Sequence, residues 1–261
     1  MACSALSQMT TKPHSVTAPP EVREIGLGQP LVWLQRGWAD LRACPGPGLL
    51  HGLAASLFGW AVLYFAHEYF WIMAGAFSGF LIVAPIVATG LYAISRGLSQ
   101  GRRVGLADVF RVWRSQDPRL MHFGLLLGLA GTGWVMTSAA MITSFTDLPV
   151  HRPLDFLRHV VLHESNWVFE AWLMLGGVLA APVFASSVVA IPLLLDRQVD
   201  VLTAVLTSWR VVLASPVPLA LWAGLLLAIT ALGMLTGLLG LIVVVPLLAH
   251  ASWHAYRDLV A

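Results

Sequence analysis

Nine histidines and a thin scatter of carboxylates carry whatever chemistry this chain of 261 residues can do. His151, Asp155, His159, His163 and Glu164 fall close together. Pro153 suits the first position of a helix. On that helix Asp155, His159 and His163 stand one turn apart, opposite an apolar stripe of Leu154, Leu157, Val160 and Val161. Histidines at i and i+4 can share one metal ion, and an imidazole near its ordinary pKa can sense protons. The same pattern also describes an interfacial helix with a solvated polar face.

His250 and His254 form a second i, i+4 pair, with His51 and His122 expected at the same membrane face. Four imidazoles gathered there could build a haem or metal site. An internal match aligns residues 80–96 with 241–257 and puts Thr89 and Ala93 opposite His250 and His254, so the fold itself does not require histidine. Polar anchoring beside Trp253 is the plain alternative. Glu170 is the one carboxylate expected inside an apolar span. A charge at the bilayer centre costs about 2.5–3.5 kcal/mol, which makes such an acid a functional candidate. Trp167 marks the span boundary one turn away, so the side chain can also reach the headgroups. His67 and Glu68 are expected at the same face.

The elements that must position these residues are transmembrane. The chain is 58% hydrophobic and 11% charged, with mean hydropathy +0.78; soluble domains carry about 25% charged residues. Apolar runs predict six spans at 48–66, 70–95, 121–145, 166–195, 217–234 and 237–256. Gly233, Thr236, Gly237 and Gly240 supply the turn between the last two. With a cytoplasmic N-terminus, Arg152 and Arg158 are the only basic residues of fifteen left outside, a strong positive-inside bias. Residues 1–30, rich in Ser, Thr and Pro, are expected to be a disordered cytoplasmic tail.

A repeated phrase organises the spans: an amphipathic segment ending near Trp38, Trp113 or Trp209, then Pro45, Pro118 or Pro216, then two apolar spans. Leu106, Val109, Phe110 and Trp113 form one helical stripe, Leu202, Val205, Leu206 and Trp209 repeat it, and Leu34, Trp38 and Leu41 give a weaker copy. These segments are expected to lie in the cytoplasmic interface. Small residues (Gly75 and Gly79, Gly124 and Gly128, Gly176 and Gly177, Gly233 and Gly237) are expected to bring helices close. Pro85, Pro182, Pro192 and Pro246 are expected to kink their spans, with Thr89, Ser186 and Ser187 near the freed carbonyls.

The C-terminal third carries a recognisable set of segments: IPLLLDR at 191–197, TSWR at 207–210 and PLLAHASWHAYRDL at 246–259. With these the chain resembles a proteobacterial family of predicted integral membrane proteins classed as a domain of unknown function, over about residues 31–261. The resemblance implies an inner-membrane protein of several helices and carries over no catalytic or binding residue. Some relatives look to be named after respiratory oxidase subunits, but the sequence holds no copper or haem ligand pattern of that kind.

The expectation is therefore an all-α polytopic membrane bundle, six transmembrane helices arranged as three repeats of cytoplasmic interfacial helix plus transmembrane hairpin. Its units span about 31–95, 104–195 and 198–257 within one membrane domain, 31–261. It is placed in the bacterial inner membrane with both termini cytoplasmic. No Walker loop, dinucleotide fingerprint, HExxH or GxSxG is present, so no enzyme is expected. No cofactor is predicted, with haem or metal left open at the histidine pairs. The expected partners are the lipid bilayer and other membrane proteins or a second copy; nucleic acid is not one, since the net charge is only +2. A scaffold or accessory subunit is the first functional expectation. A small transporter or channel comes next, then a haem- or metal-binding membrane protein.

Overall fold

The computed structural model describes residues 20–115, 117–146, 150–162 and 167–261. The described chain is all-α, its only extended pairing an isolated antiparallel bridge between Val22 and Val260. Helices occupy all six places where spans are expected: α2 (Pro45–Ala66), α3 (Phe70–Ser99), α5 (Pro118–Phe145), α7 (Val168–Ser187) running into α8 (Ala190–Asp196), α10 (Pro216–Leu235) and α11 (Leu241–Leu259). Among the described residues, four of these are long and apolar enough to cross a membrane: α2, α5, the α7–α8 stretch and α10. Helix α11 is apolar only up to its middle, where His250, His254, Arg257 and Asp258 take over.

Shorter helices α1 (Gln29–Ala43), α4 (Leu106–Arg114) and α9 (Val201–Ala214) precede α2, α5 and α10. Pro45, Pro118 and Pro216 open those three long helices, where a missing N–H costs nothing and the fixed φ suits the first turn. One end of the molecule carries the short helices. At the other, Arg152 pairs with Glu68 at 2.5 Å, joining two interhelical loops, and Trp60 donates to the Gly237 carbonyl in the third.

Two expectations about single helices are corrected. The span 166–195 is not one kinked helix; it breaks at Val188 and Val189 into α7 and α8. Pro192 accounts for this, because its ring excludes the carbonyl four residues earlier and offers no N–H to it. Ser208 of α9 then receives the loose Val189 N–H at 3.4 Å. Ser187 donates to the Val183 carbonyl one turn earlier, not to that of Val178, which Pro182 leaves without an N–H. Helix α1 presents a different face from the one expected: Trp33, Gly37 and Leu41 are buried, while Trp38 is 42% exposed. The bare Gly37 lets the α1 backbone close on α11 at Leu247 and Ala251.

The supposed tail is a third correction, from Pro20 onward. Arg23 donates its backbone N–H to the Leu259 carbonyl, Ala261 donates to Glu21, and Ile25 donates to the Ser215 hydroxyl. Arg210 reaches the Pro20 carbonyl. A polar sequence is held here because the ends of α9 and α11 offer it backbone partners, which composition does not reveal.

Helix α11 is the hub. It packs on α1, α2, α3, α8 and α10, and the largest buried cluster contains Trp33, Trp222, Trp253 and Tyr256. Trp33 meets Trp222 edge to face with centroids 5.4 Å apart, the geometry aromatic quadrupoles prefer.

Candidate functional site

The short-helix end holds most of the molecule's charged pairs. Asp258 of α11 accepts from Gln29 Nε2 (2.5 Å), Trp33 Nε1 (2.9 Å) and Arg36 Nη1 (3.0 Å), all on α1. Asp196, at the end of α8, meets Arg96 of α3 at 3.0 Å and accepts the Tyr256 hydroxyl of α11 at 2.7 Å. Arg119 lies between Asp117 and the carbonyls that end α8. These residues gave no chemical signal in the sequence beyond membership of the IPLLLDR and HAYRDL segments. Their hydrogen bonds tie helices together, so those segments act first as fasteners.

Hydrogen bonding from the Arg119 side chain holds the Asp117 carboxyl below its ordinary value of 3.8, against a smaller upward push from burial. A carboxyl with a depressed folded pKa contributes stability that is complete above the unfolded value. That contribution fades as pH falls through the folded one. The melting midpoint of the wild type is therefore expected to drop more steeply below about pH 4 than that of Asp117→Asn, which keeps a competent N-cap. Parallel acid profiles would contradict this account.

The histidines divide. His250 is fully buried, its Nδ1 2.7 Å from the Ser95 hydroxyl of α3. His254, one turn on, donates from Nε2 to Asp40 Oδ2 of α1 at 2.9 Å. Each imidazole of the expected pair is thus committed to a different helix, and joint ligation would break both bonds. His51 is buried in α2, whereas His122 faces outward and does not join them. Among the described residues no three His, Cys, Asp or Glu side chains gather as a metal would need.

What the sequence did not signal is a group of unpartnered nitrogens. His51 Nε2, Trp113 Nε1, His250 Nε2 and Trp253 Nε1 are buried without hydrogen bonds. Of these residues His51 also lines a cavity of about 740 Å³ between α2, α3, α10 and α11, together with Ala55, Tyr92, Thr230, Leu248 and Ser252 among others.

At the opposite end, Pro153 opens α6 (Pro153–Phe156) as expected, but the helix continues as a π turn over Leu157–Val161. Leu162 bonds back five residues to Leu157, so the turn that carries His159 is wider than an α turn; His163 and Glu164 lie outside the described residues. Asp155 brackets the loop by accepting the backbone N–H groups of Arg152 (2.9 Å) and His151 (3.2 Å). Those bonds, first that of Arg152, hold its carboxyl below the usual range, with smaller help from the charges of His159 and Arg152. His159 keeps Nδ1 buried and unpaired. Val160 packs with Ile142, Val150 and Val168 into a small cap on the α5–α7 hairpin.

Glu170 is exposed in the first turn of α7. It sits at the helix N-terminus, where backbone N–H groups favour an anion, and not at mid-span. Glu68 is bound to Arg152, with His67 at 3.5 Å.

Residues 72–196 match the model of a family described as Predicted integral membrane protein (DUF2189), a domain of unknown function. The match includes Arg96, Asp117, Arg119 and Asp196 but ends before α9 and α11, so it is shorter than the resemblance over 31–261. No curated protein and no solved structure matches the chain. The chain is an integral, multi-pass helical membrane protein in contact with lipid.

Proposed function

We propose that this protein is a non-enzymatic scaffold or accessory subunit that holds other membrane proteins against its spans. The observation that carries this reading is the middle of α7. Residues 177–183 are all exposed, nearly two full turns of helix in which no side chain is buried by the chain itself. Gly177 and Ala181 stand four apart there, and nothing lies within 4 Å of where a Gly177 side chain would begin. Lipid gives no hydrophobic drive between helices, so such small residues matter by letting a second backbone approach. The charged groups argue the same way: Asp40, Asp117, Asp196 and Asp258 are all committed to cations or N–H and O–H donors.

Within this reading α3 and α11 also cross, giving six spans in three repeats. The short helices face the cytoplasm of a bacterial inner membrane, with both termini on that side. Arginine distribution supports this orientation, as does the pairing of Arg152 with Glu68 at the opposite end.

A photo-crosslinking residue at Val178 tests the proposal, with Leu227 of α10, also lipid-exposed, as reference. One discrete protein adduct from Val178, lost in Gly177→Leu, is expected. Lipid adducts alone from both positions would sink it. The cavity favours a second reading, a small transporter or channel for an apolar or amphipathic solute, which solute flux into proteoliposomes would reveal.

A further inference from the structure

We infer that the cavity between α2, α3, α10 and α11 binds the hydrocarbon chain of a fatty ester, whose carbonyl oxygen accepts a hydrogen bond from the Tyr92 hydroxyl. This goes beyond the scaffold reading and does not depend on it.

The walls select a chain. Along α3 the lining reaches from Ala76 to Tyr92, about 24 Å of helix at 1.5 Å per residue. The volume of about 740 Å³ lies within the usual range of small-molecule sites, about 300–1,000 Å³. Eleven of the fifteen lining residues are apolar, so the space offers water few of the polar partners it needs. Ala54 and Ala55 of α2, Ala88 of α3 and Ala249 of α11 leave room that larger side chains would fill. Hydrocarbon suits such a space, and the lipid around this membrane protein supplies it.

The polar end follows from Tyr92. The other polar side chains of the lining can bond to carbonyls of their own helices. His51 Nδ1 lies 2.6 Å from the Pro47 oxygen, and the Ser252 hydroxyl donates to Leu248 at 2.8 Å. Thr230, inside α10, can turn its hydroxyl back on the preceding turn in the same way. A tyrosine cannot, because its hydroxyl stands at the far edge of the ring, away from its own backbone. Tyr92 is only 7% exposed, and its ring stacks on Trp253 with centroids 6.4 Å apart. Among the described residues no group hydrogen-bonds to its hydroxyl. A buried tyrosine ordinarily finds a partner. The protein supplies none here, so the partner comes from the cavity that Tyr92 lines.

A phenol is a good donor and calls for an acceptor. An ester carbonyl provides one and stays neutral. A carboxylate or phosphate would carry a charge into an apolar site, with no Lys or Arg among the described residues that line it. An alkane brings no acceptor at all. Esters are also the linkage by which bilayer lipids carry their chains, so chemistry and supply agree.

The experiment uses the full-length protein in detergent with methyl palmitate and octadecane, chains of equal length with and without the carbonyl. Affinity is read from concentration-dependent thermal stabilisation. Methyl palmitate is expected to bind about fivefold tighter, the effect of one ordinary hydrogen bond. Tyr92→Phe keeps the ring and removes only the oxygen, so it should bring that ratio below twofold and leave octadecane affinity unchanged. Without ligand it should melt no lower than wild type, since no protein partner is lost. Ala55→Phe narrows the chain site and should weaken both probes at least tenfold; Ala54→Phe, at a more exposed lining position, serves if the first variant does not fold. Dipalmitoyl phosphatidylglycerol as competitor separates the two sources of ester: displacement of methyl palmitate assigns a bilayer lipid, and no displacement a free single-chain ester. Equal wild-type affinities, no binding of methyl palmitate, or a preference that survives in Tyr92→Phe would overturn the inference. So would an earlier-melting ligand-free Tyr92→Phe, or probe binding undiminished by the alanine variants.

Discussion

Gly52→Ala is expected to destabilise the protein by about 3 kcal/mol, although alanine is intrinsically the better helix former by up to about 1 kcal/mol. The reversed sign identifies the cause. A Cβ on Gly52 would sit 2.1 Å from the Ile242 carbonyl oxygen, 2.5 Å from its carbon and 2.6 Å from its Cα. All three are backbone atoms of α11, so no side-chain rotation relieves the clash, and α2 and α11 must separate. That movement also strains the bond from the Ser56 hydroxyl to Leu238 (2.9 Å) and that from Trp60 Nε1 to Gly237 (2.7 Å). Both hold a turn in which Gly237 and Leu238 are left-handed, at φ 66° and 68°, a costly conformation for leucine. Gly133→Ala is the control: it is also helical, and nothing lies within 4 Å of its Cβ position. Unfolding of the two variants in a denaturing-detergent titration should move in opposite directions from wild type; a Gly52 variant as stable as wild type would refute the close approach.

Gly52 also shows where sequence reading stopped. Clusters of small residues, most of them four apart, singled out Gly75 and Gly79, Gly124 and Gly128, the adjacent Gly176 and Gly177, and Gly233 and Gly237. Gly124 and Gly128 are indeed buried. Yet Gly177 faces nothing, Gly237 turns the chain, and α11 comes backbone to backbone against α1 at Gly37 and against α2 at Gly52. Spacing reveals that a helix could pack closely but not which face meets which partner. The helices themselves were legible because apolar length and proline position are local properties: Pro45, Pro118 and Pro216 begin α2, α5 and α10.

Histidine spacing misled for a related reason. His250 and His254 share a face, as i and i+4 must, but Ser95 and Asp40 arrive from different helices and claim one ring each. His51 and Trp113, 62 positions apart, are brought instead to a centroid distance of 5.3 Å beside Gly90 of a third helix. No periodicity connects them. An odd indole and imidazole could have been noticed, but their missing partners exist only in three dimensions. Glu170 stands in the first turn of α7, one turn from the Trp167 boundary, at a helix N-terminus that favours an anion.

Arg119→Ala is expected to cost about 3 kcal/mol and to loosen α8 and α9 before the rest of the bundle. The guanidinium has five N–H donors, and all are used. Nε and one Nη2 proton go to Asp117 (3.0 and 2.6 Å), the other Nη2 proton to the Leu194 carbonyl (3.1 Å), and Nη1 to Arg197 and Val199 (3.0 and 2.8 Å). Three of these acceptors are carbonyls at or just after the end of α8, which no next turn can satisfy. Lysine offers three donors from one point and cannot span that fork, so Arg119→Lys should recover less than half of the loss. The link to the neighbouring acid is separable. In a double-mutant cycle, Asp117→Asn should cost less in the Arg119→Ala background than in wild type, since its side-chain partner is already gone. Hydrogen exchange should show the Val201–Ala214 helix opening first, because α8 leads directly into it. Uniform exchange across α8, α9 and α11 would instead make Arg119 one surface charge among many. The segment matching the membrane family ends at residue 196, so within it this arginine has one function the geometry can assign: closing the last helix of that segment.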